Sequence, residues 1–172
     1  MIKVRVGVIG AGWWAVENHI PVLKSFEDVD LAAVCRLGAK ELKSVQSKFQ
    51  IEYATEDYRS LLTCPALQGV VVSSPHHLHY EHASAALEQG LHVLCEKPMV
   101  LRSSEARELA SITEARKLHF LIPYGWNYTD FALEARNRIQ QEAIGEIEHV
   151  HCHMASALRR GTLVCTRGLF QA

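Results

Sequence analysis

Two glycines separated by one residue follow the first apolar segment of the chain, and this spacing is suited to holding a pyrophosphate. Gly10 permits a tight turn, Gly12 lets the backbone come close to a phosphate, and Ala15 allows a helix to pack closely on a strand. The start of that helix adds amide donors and positive partial charge. An ordinary glycine turn is the weaker alternative, because the motif directly follows the first predicted strand. We therefore predict a dinucleotide site that includes Gly10, Gly12, Trp13 and Trp14.

The end of the second predicted strand carries a cation where a carboxylate often binds the adenosine ribose. The segment from Val34 to Gly38 contains no acid. Arg36 is suited to pair with a 2′-phosphate and to stack on adenine, and Lys40 adds a second cation nearby. This pattern predicts NADP as the cofactor, with NAD as the alternative. A solvent-exposed arginine that binds no ligand is the other interpretation of Arg36.

A loop rich in histidine leaves a predicted strand and enters a helix at the carboxyl edge of the sheet, where cofactors bind. From this loop we predict cofactor contacts by Ser74, Pro75, His76 and His79. A metal site is the alternative, since His79 and His82 lie about one helical turn apart. No neighbouring cysteine or pair of carboxylates completes a ligand set, so we predict no metal.

A third motif, Glu96-Lys97-Pro98, follows another predicted strand at the same edge. Proline makes the turn rigid and aims the lysine into the cleft. There its ammonium group can contact a substrate hydroxyl or the nicotinamide ribose and assist proton movement. Lys97 is therefore the candidate catalytic residue, and Glu96 and Lys97 are also candidate cofactor contacts.

Strand-like and helix-like segments alternate along residues 1–123 and place these motifs at one edge of a sheet. Short apolar runs of this kind suit parallel strands that are covered on both faces. We predict an α/β fold with an open, right-handed, doubly wound parallel sheet of the Rossmann type. The predicted strands are Val4–Ile9, Leu31–Cys35, Ile51–Tyr53, Gly69–Val72, His92–Cys95 and Phe120–Pro123. The predicted helices are Trp14–Phe26, which Pro21 interrupts, Glu41–Phe49, Asp57–Leu62, Leu78–Gln89 and Ser103–Lys117.

Residues 124–172 are predicted to begin a second, α+β domain for substrate binding and oligomerisation. Phe131–Glu142 has a helical pattern, and Ile147–Met154 alternates like a strand. Three histidines share one face of that strand: His149, His151 and His153. One interpretation is that the three histidines bind metal ions. The favoured interpretation is that this face of the strand is solvated or forms an interface. The pattern fades after Met154, which predicts a truncated domain with an unpaired strand edge and hence a homo-oligomer.

Composition and charge exclude several classes of partner. The formal net charge is −1, and the charged residues leave no basic stripe for nucleic acid. No apolar run approaches the ~20 residues that cross a bilayer, and no signal peptide precedes the first strand, so we predict no membrane partner. The five cysteines are odd in number and form no CxxC motif, which indicates reduced thiols in a cytoplasmic protein. They are Cys35, Cys64, Cys95, Cys152 and Cys165.

These motifs occur in an order that resembles the Gfo/Idh/MocA oxidoreductase family. The resemblance runs from about residue 3 to residue 154 and rests on the glycine motif together with several later segments. Those segments are Ser74–His79, Ala85–Gly90, His92–Pro98, Asn127 and Ala143–Ile147. The family usually carries Asn at the position of His76, so the contacts of that loop with the cofactor are expected to differ here.

The resemblance implies roles for particular residues. Lys97 is the lysine that touches substrate and nicotinamide. Glu96 and Pro98 shape its turn, and Asn127 lies near the nicotinamide end of the cofactor. The implied reaction is hydride transfer between C4 of the nicotinamide and a hydroxyl-bearing carbon of a sugar or polyol. The family's second domain supplies a further Asp and His, whereas no Asp follows Asp130 here. A dinucleotide-binding module without turnover, and a remnant that binds nothing, are therefore the alternatives.

Overall fold

The computed structural model describes residues 3–153, and its larger unit is built on a parallel sheet. Within this range the strands are β1 Val4–Ile9, β2 Val29–Cys35, β3 Tyr53–Thr55, β4 Gly69–Val72, β5 His92–Cys95 and β6 Phe120–Leu121. Their order in the sheet is β3-β2-β1-β4-β5-β6, and every neighbouring pair is parallel. The predicted α/β fold of the Rossmann type is confirmed.

Helices connect these strands, and local side chains fix where some of them begin and end. The helices among the described residues are α1 Ile20–Ser25, α2 Ala39–Phe49, α3 Tyr58–Leu62, α4 His79–Glu88, α5 Ser103–Arg116 and α6 Asp130–Gln140. The Asp57 carboxylate begins α3 by accepting the amides of Arg59 and Ser60 at 3.1 and 3.2 Å. Gly90, at φ +79°, ends the α4 segment. No helix within residues 3–153 is long and apolar enough to cross a membrane.

Two layers of buried side chains hold helices against the two faces of the sheet. One layer contains Leu61, Leu87 and Leu109, which belong to α3, α4 and α5. The other contains Ile20 and Val45, which belong to α1 and α2. Burying a side chain of this size contributes about 1.5–3 kcal/mol. Both faces are covered along much of the sheet, and this explains the continuous apolar run of β4, in which every residue is buried.

The order of the strands reverses between β1 and β4, and this reversal creates a crevice at their carboxyl ends. Strands β2 and β3 lie on one side of β1, and β4, β5 and β6 lie on the other. The amide of Ser73 donates to the carbonyl of Ile9 at 2.8 Å and joins the two strand ends. The segments that follow β1, β2, β4 and β5 all leave this edge of the sheet, and they carry the predicted site residues apart from Asn127.

The first helical segment continues through Pro21, so the predicted interruption there is wrong. A π-helical turn, Ala15–His19, runs directly into α1, and the amide of Ile20 donates to the carbonyl of Ala15, five residues back. Proline has no amide hydrogen, and in a regular α-helix its ring clashes with the carbonyl four residues earlier, that of Glu17. The wider turn immediately before Pro21 relieves that clash, and the segment continues to Ser25.

The chain divides after Gly125 into two units. A 3₁₀ turn, Gly125–Tyr128, begins at the last residue of the first unit, and the second unit contains α6. The predicted helix Phe131–Glu142 corresponds to α6. The predicted strand Ile147–Met154 is wrong for residues 147–153, which form no strand. No strand within residues 3–153 pairs with this segment, and an isolated strand is not stable in water. Met154 and the predicted fading of the pattern after it lie outside the described residues.

Candidate functional site

The glycine motif lies at the crevice between β1 and β4 and makes a tight approach to the loop after β4. Gly10 has φ +85°, and a Cβ atom added there would lie 2.4 Å from the backbone nitrogen of Ser74. The amides of Gly10 and Ala11 both donate to the carbonyl of Cys35, at 2.8 and 2.9 Å, and so fix the turn against the end of β2. Position 10 therefore accepts glycine because both the backbone angle and the close neighbour require it.

Gly12 faces open space, in contrast to Gly10. A Cβ atom added there would have the carbonyl oxygen of Gly10, at 4.0 Å, as its nearest contact. The first amide to bond within the following helix is that of Val16, which donates to the carbonyl of Gly12 at 3.0 Å. The amides of Trp13, Trp14 and Ala15 precede it and thus have no acceptor one helical turn back. A free approach combined with amide donors is the arrangement that a pyrophosphate needs.

A cavity of about 310 Å³ lies beside this loop. Its volume lies at the lower end of the range for small-molecule sites, roughly 300–1,000 Å³. It brings together five of the predicted cofactor contacts, namely Gly10, Gly12, Arg36, Ser74 and Pro75. Polar residues that the sequence did not predict as cofactor contacts also line it, namely Glu56, Tyr58, Ser73 and His82.

Arg36 lies at the end of β2 and reaches across the glycine loop. Its Nη1 donates to the carbonyl of Ala11 at 3.2 Å, and its Nε lies 3.4 Å from the carbonyl of Leu37. A guanidinium has five N–H donors, so these contacts leave donors for an anion. The side chain is half-buried and lines the cavity. Arg36 therefore lines the part of the cavity at the end of β2, and its predicted contact with the adenosine ribose stays a prediction.

A carboxylate is present at this end of the cavity, although β2 itself supplies none. Glu56 follows β3, the neighbour of β2 in the sheet, and its Oε1 accepts the amide of Gly38 at 2.5 Å. The segment from Val34 to Gly38 contains no acid, and the carboxylate at this end of the cavity comes instead from the neighbouring strand. The signal in the sequence was the pairing of adjacent strands, since the residue after β3 can reach the end of β2.

Three side chains from the histidine-rich loop have different surroundings. His79 is fully buried, with Nδ1 at 2.8 Å from the carbonyl oxygen of Pro98 and Nε2 at 2.8 Å from that of Ser74. Its ring thus joins two loops and does not face the cavity, in contrast to its predicted contact with cofactor. His82 is buried with Nδ1 at 2.9 Å from Oγ of Ser74. His76 is exposed, and partial burial of its ring lowers its pKa.

Burial also shifts the pKa of the two rings that meet at the cavity wall. The rings of Tyr58 and His82 have centroids 4.3 Å apart. Burial raises the pKa of Tyr58 to about 12, and its hydroxyl donates to the Glu81 carboxylate at 2.7 Å. Burial lowers the pKa of His82 and therefore favours the neutral ring. This wall of the cavity presents hydrogen-bonding groups with little net charge.

Glu96 joins the glycine loop to the turn that carries Lys97. Its Oε1 accepts the indole Nε1–H of Trp14 at 2.7 Å and lies 2.8 Å from Nε2 of His19. Its Oε2 accepts the backbone amide of Lys97 at 3.0 Å. The carboxylate is buried, so these donors replace the water it has lost. Glu96 thus acts on the site by holding other residues, and the sequence had not pointed to His19.

Lys97 is exposed at the same edge of the sheet, and its ammonium nitrogen lies 5.5 Å from the centre of the Trp14 ring. That geometry is a cation–π contact, which limits where the ammonium group moves. The Lys97–Pro98 peptide bond is cis. Trp13 is largely exposed, with its ring centroid 5.7 Å from that of Trp14. The glycine loop and the lysine turn are therefore linked through one indole ring.

Asn127 belongs to the second unit, where it lies exposed in the 3₁₀ turn Gly125–Tyr128. Its predicted place near the nicotinamide stays a prediction. Across residues 3–153, no group of three or more histidine, cysteine or acidic side chains is arranged to hold a metal ion. Both ring nitrogens of His79 and Nδ1 of His82 lie within hydrogen-bonding distance of oxygens of Ser74 and Pro98.

Comparisons with known proteins agree on one family. Residues 4–124 match the GFO_IDH_MocA model, described as an oxidoreductase family with an NAD-binding Rossmann fold. D-glucoside 3-dehydrogenase of Escherichia coli K12 is 33% identical over 156 residues, which are 91% of this chain and 44% of that protein. Glucose-6-phosphate 3-dehydrogenase of Bacillus subtilis 168 is 29% identical over 158 residues, with the same coverage of 91% and 44%.

Solved structures give the same result. A 3-ketoreductase from Actinomadura kijaniata, in complex with TDP-benzene and NADP, superimposes with a TM-score of 0.75 at 28% identity. The match covers 84% of this chain and 44% of that one. The present chain thus spans less than half the length of the relatives that it matches.

Proposed function

Since the chain belongs to the Gfo/Idh/MocA family of NAD-binding oxidoreductases, we propose that it binds NAD(P)(H) in the cavity beside Gly10 and Gly12 and takes part in hydride transfer on a sugar or polyol. One observation carries this proposal. The glycine loop and the Lys97 turn lie at the same edge of the sheet and are joined through Trp14 and Glu96. A phosphate-binding loop and a cationic side chain are the parts that such a reaction requires.

The residues at the crevice fit a dinucleotide. A Cβ atom at Gly12 would stand in the open approach to the first amides of the helix, so glycine leaves this approach free for a pyrophosphate. Arg36 offers donors to a 2′-phosphate, which supports NADP as the cofactor. The relatives named as 3-dehydrogenases of glucosides and of glucose 6-phosphate support a hexose as substrate.

When bound, the nicotinamide supplies C4 as acceptor or donor of the hydride. Lys97 then has a separate task at the substrate oxygen. As a hydroxyl-bearing carbon loses hydride, its O–H bond must lose a proton, and a neutral Nζ of Lys97 would accept that proton and become an ammonium group. In the reverse direction the ammonium group would return the proton to the oxygen. Glu96 fixes the backbone of Lys97, and the ring of Trp14 limits the path of its ammonium group.

The test separates cofactor binding from turnover. The purified chain is titrated calorimetrically with NADPH and NADH, and the change in absorbance of the nicotinamide is followed with hexoses, hexosides and inositols. We expect Lys97→Ala to lower turnover by about 10²-fold or more, with the dinucleotide Kd changed by less than roughly threefold. Lys43→Ala, at an exposed position of α2, is the matched control.

Each outcome has a distinct meaning. Full activity of Lys97→Ala would contradict the role of Lys97 in proton transfer. Dinucleotide binding by the wild-type chain with no turnover of any substrate would support the alternative of a binding module. Failure of the wild-type chain to bind either dinucleotide would overturn the proposed function itself.

A further inference from the structure

Two opposite charges meet at the ribose end of the cavity. Arg36 and Glu56 both line it, although they come from different strands. Arg36 leaves the end of β2 and bonds to the carbonyl of Ala11 at 3.2 Å. Glu56 leaves the end of β3 and accepts the amide of Gly38 through Oε1, which leaves Oε2 as a further acceptor. The carboxylate is therefore fixed by the backbone of the loop that follows β2.

The charges around this loop nearly cancel. Besides Arg36 and Glu56, Lys40 lies two residues after Gly38, and Oε2 of Glu41 lies 2.6 Å from where a Cβ atom of Gly38 would stand. A 2′-phosphate beside Arg36 would thus lie near the carboxylate of Glu56, while Lys40 and Glu41 add one charge of each sign to the adjoining segment. A ribose 2′-hydroxyl, in contrast, needs an acceptor for its hydrogen, and carboxylates at this end of a dinucleotide fold meet that need.

We propose that Glu56 is a specificity-determining residue, which accepts a hydrogen bond from the adenosine ribose of NAD(H) and repels the 2′-phosphate of NADP(H). This proposal rests on the proposed function, since it assumes that a dinucleotide binds in the cavity. The two side chains then have opposite effects on the binding of NADP(H), because Arg36 attracts the 2′-phosphate and Glu56 repels it. The chain consequently binds both dinucleotides, and the charge at position 56 sets the ratio of their affinities.

Glu56→Gln tests this balance with little change of shape. The amide oxygen of Gln keeps an acceptor for the amide of Gly38 and removes the negative charge. Exposed like charges a few ångströms apart cost on the order of 1 kcal/mol, so we expect NADPH to bind roughly five- to tenfold more tightly. NADH loses a charged acceptor and should bind about two- to threefold more weakly. Calorimetric titration of the 172-residue chain measures both values.

Two variants and one condition serve as controls. Glu88→Gln removes an exposed carboxylate at the end of α4 and should leave the ratio of affinities unchanged. Arg36→Ala should lower the affinity for NADPH and leave that for NADH nearly constant. Raising the salt concentration from about 0.05 to 0.5 M should reduce the effect of Glu56→Gln on NADPH, because salt screens exposed charges.

The result that overturns this proposal differs from the one that overturns the proposed function. If both dinucleotides bind and Glu56→Gln changes the ratio of their affinities by less than about twofold, Glu56 does not determine specificity. An equal change at Glu88→Gln would also overturn it, since the effect would then come from net charge alone. If neither dinucleotide binds to the wild-type chain or to the variants, the proposed function fails, and with it this inference.

Discussion

Substitution by alanine should have different effects at the two glycines of the first loop: Gly10→Ala should lower stability, and Gly12→Ala should weaken dinucleotide binding. Gly10→Ala places a methyl group 2.4 Å from the nitrogen of Ser74 and 2.6 Å from the carbonyl carbon of Ser73. These are backbone atoms, so the loops after β1 and β4 must separate by about 1 Å to restore ordinary contact. Such overpacking costs about 1–3 kcal/mol, and a φ of +85° costs an alanine about 1–2 kcal/mol more.

The expected loss in the free energy of unfolding for Gly10→Ala is therefore about 2–5 kcal/mol, a large part of the stability of an ordinary domain. Gly12→Ala is the matched control. Its methyl group meets the carbonyl oxygen of Gly10 no closer than 4.0 Å, so the free energy of unfolding should change by about 0.5 kcal/mol or less. The same methyl group stands in the approach to the helix amides, so Gly12→Ala should weaken dinucleotide binding.

Urea denaturation followed by circular dichroism measures the first effect, and calorimetric titration with NADPH and NADH measures the second. The reasoning predicts an unstable Gly10→Ala variant and a stable Gly12→Ala variant with a raised Kd. If Gly10→Ala unfolds at the same urea concentration as wild type, the close approach to Ser74 does not limit the fold. If Gly12→Ala binds dinucleotides normally, no pyrophosphate approaches that position.

Two further predictions follow from buried titratable groups. Burial lowers the pKa of His82, so the folded state disfavours its proton, and stability should fall as pH decreases from about 6.5 towards the folded pKa. Urea titrations at several pH values measure this dependence. His82→Gln should reduce the loss of stability at low pH, whereas His77→Gln, at an exposed position, should leave it unchanged. If stability depends equally on pH in wild type and both variants, the reasoning is refuted. Burial raises the pKa of the Cys35 thiol to about 11 and that of the Cys95 thiol to about 12. Iodoacetamide at pH 8 should therefore label the exposed Cys152 in the native chain, and it should label Cys35 and Cys95 only after urea is added. Peptide mass spectrometry measures this, and rapid native labelling of Cys95 would contradict its burial.

The parallel sheet could be predicted from the sequence because each of its signals is local. Alternation of short apolar runs with helical patterns sets the order of elements, and the glycine motif after the first strand identifies which loop meets the crevice. The same holds for the loop that begins at Ser74 and for the Lys97 turn, since both directly follow buried strands. Self-association, a cytoplasmic location and a second domain in residues 124–172 stay predictions.

One residue that the motifs missed acts across the sheet, and one that they named lies below its surface. Glu56 reaches the site from the strand beside β2, so its role depends on strand order and not on the motif around Arg36. His79 is polar and lies in a loop of predicted contacts, yet it is fully buried with both ring nitrogens on backbone carbonyls. A sequence pattern that places a histidine at a sheet edge does not tell which way its ring turns.

The π turn before α1 sets the rotational phase of the side chains on either side of it. Trp14 and His19 are five residues apart, and in a regular α-helix five residues turn through about 500°, so the two side chains would diverge by about 140°. Bonding between residues five apart brings them to the same side, where both reach one oxygen of Glu96. The extra residue in this turn therefore keeps two side chains that are five residues apart on one side of the helix. Residues four apart already share a side of a regular α-helix, so deleting one residue between Trp14 and His19 should still leave both facing Glu96.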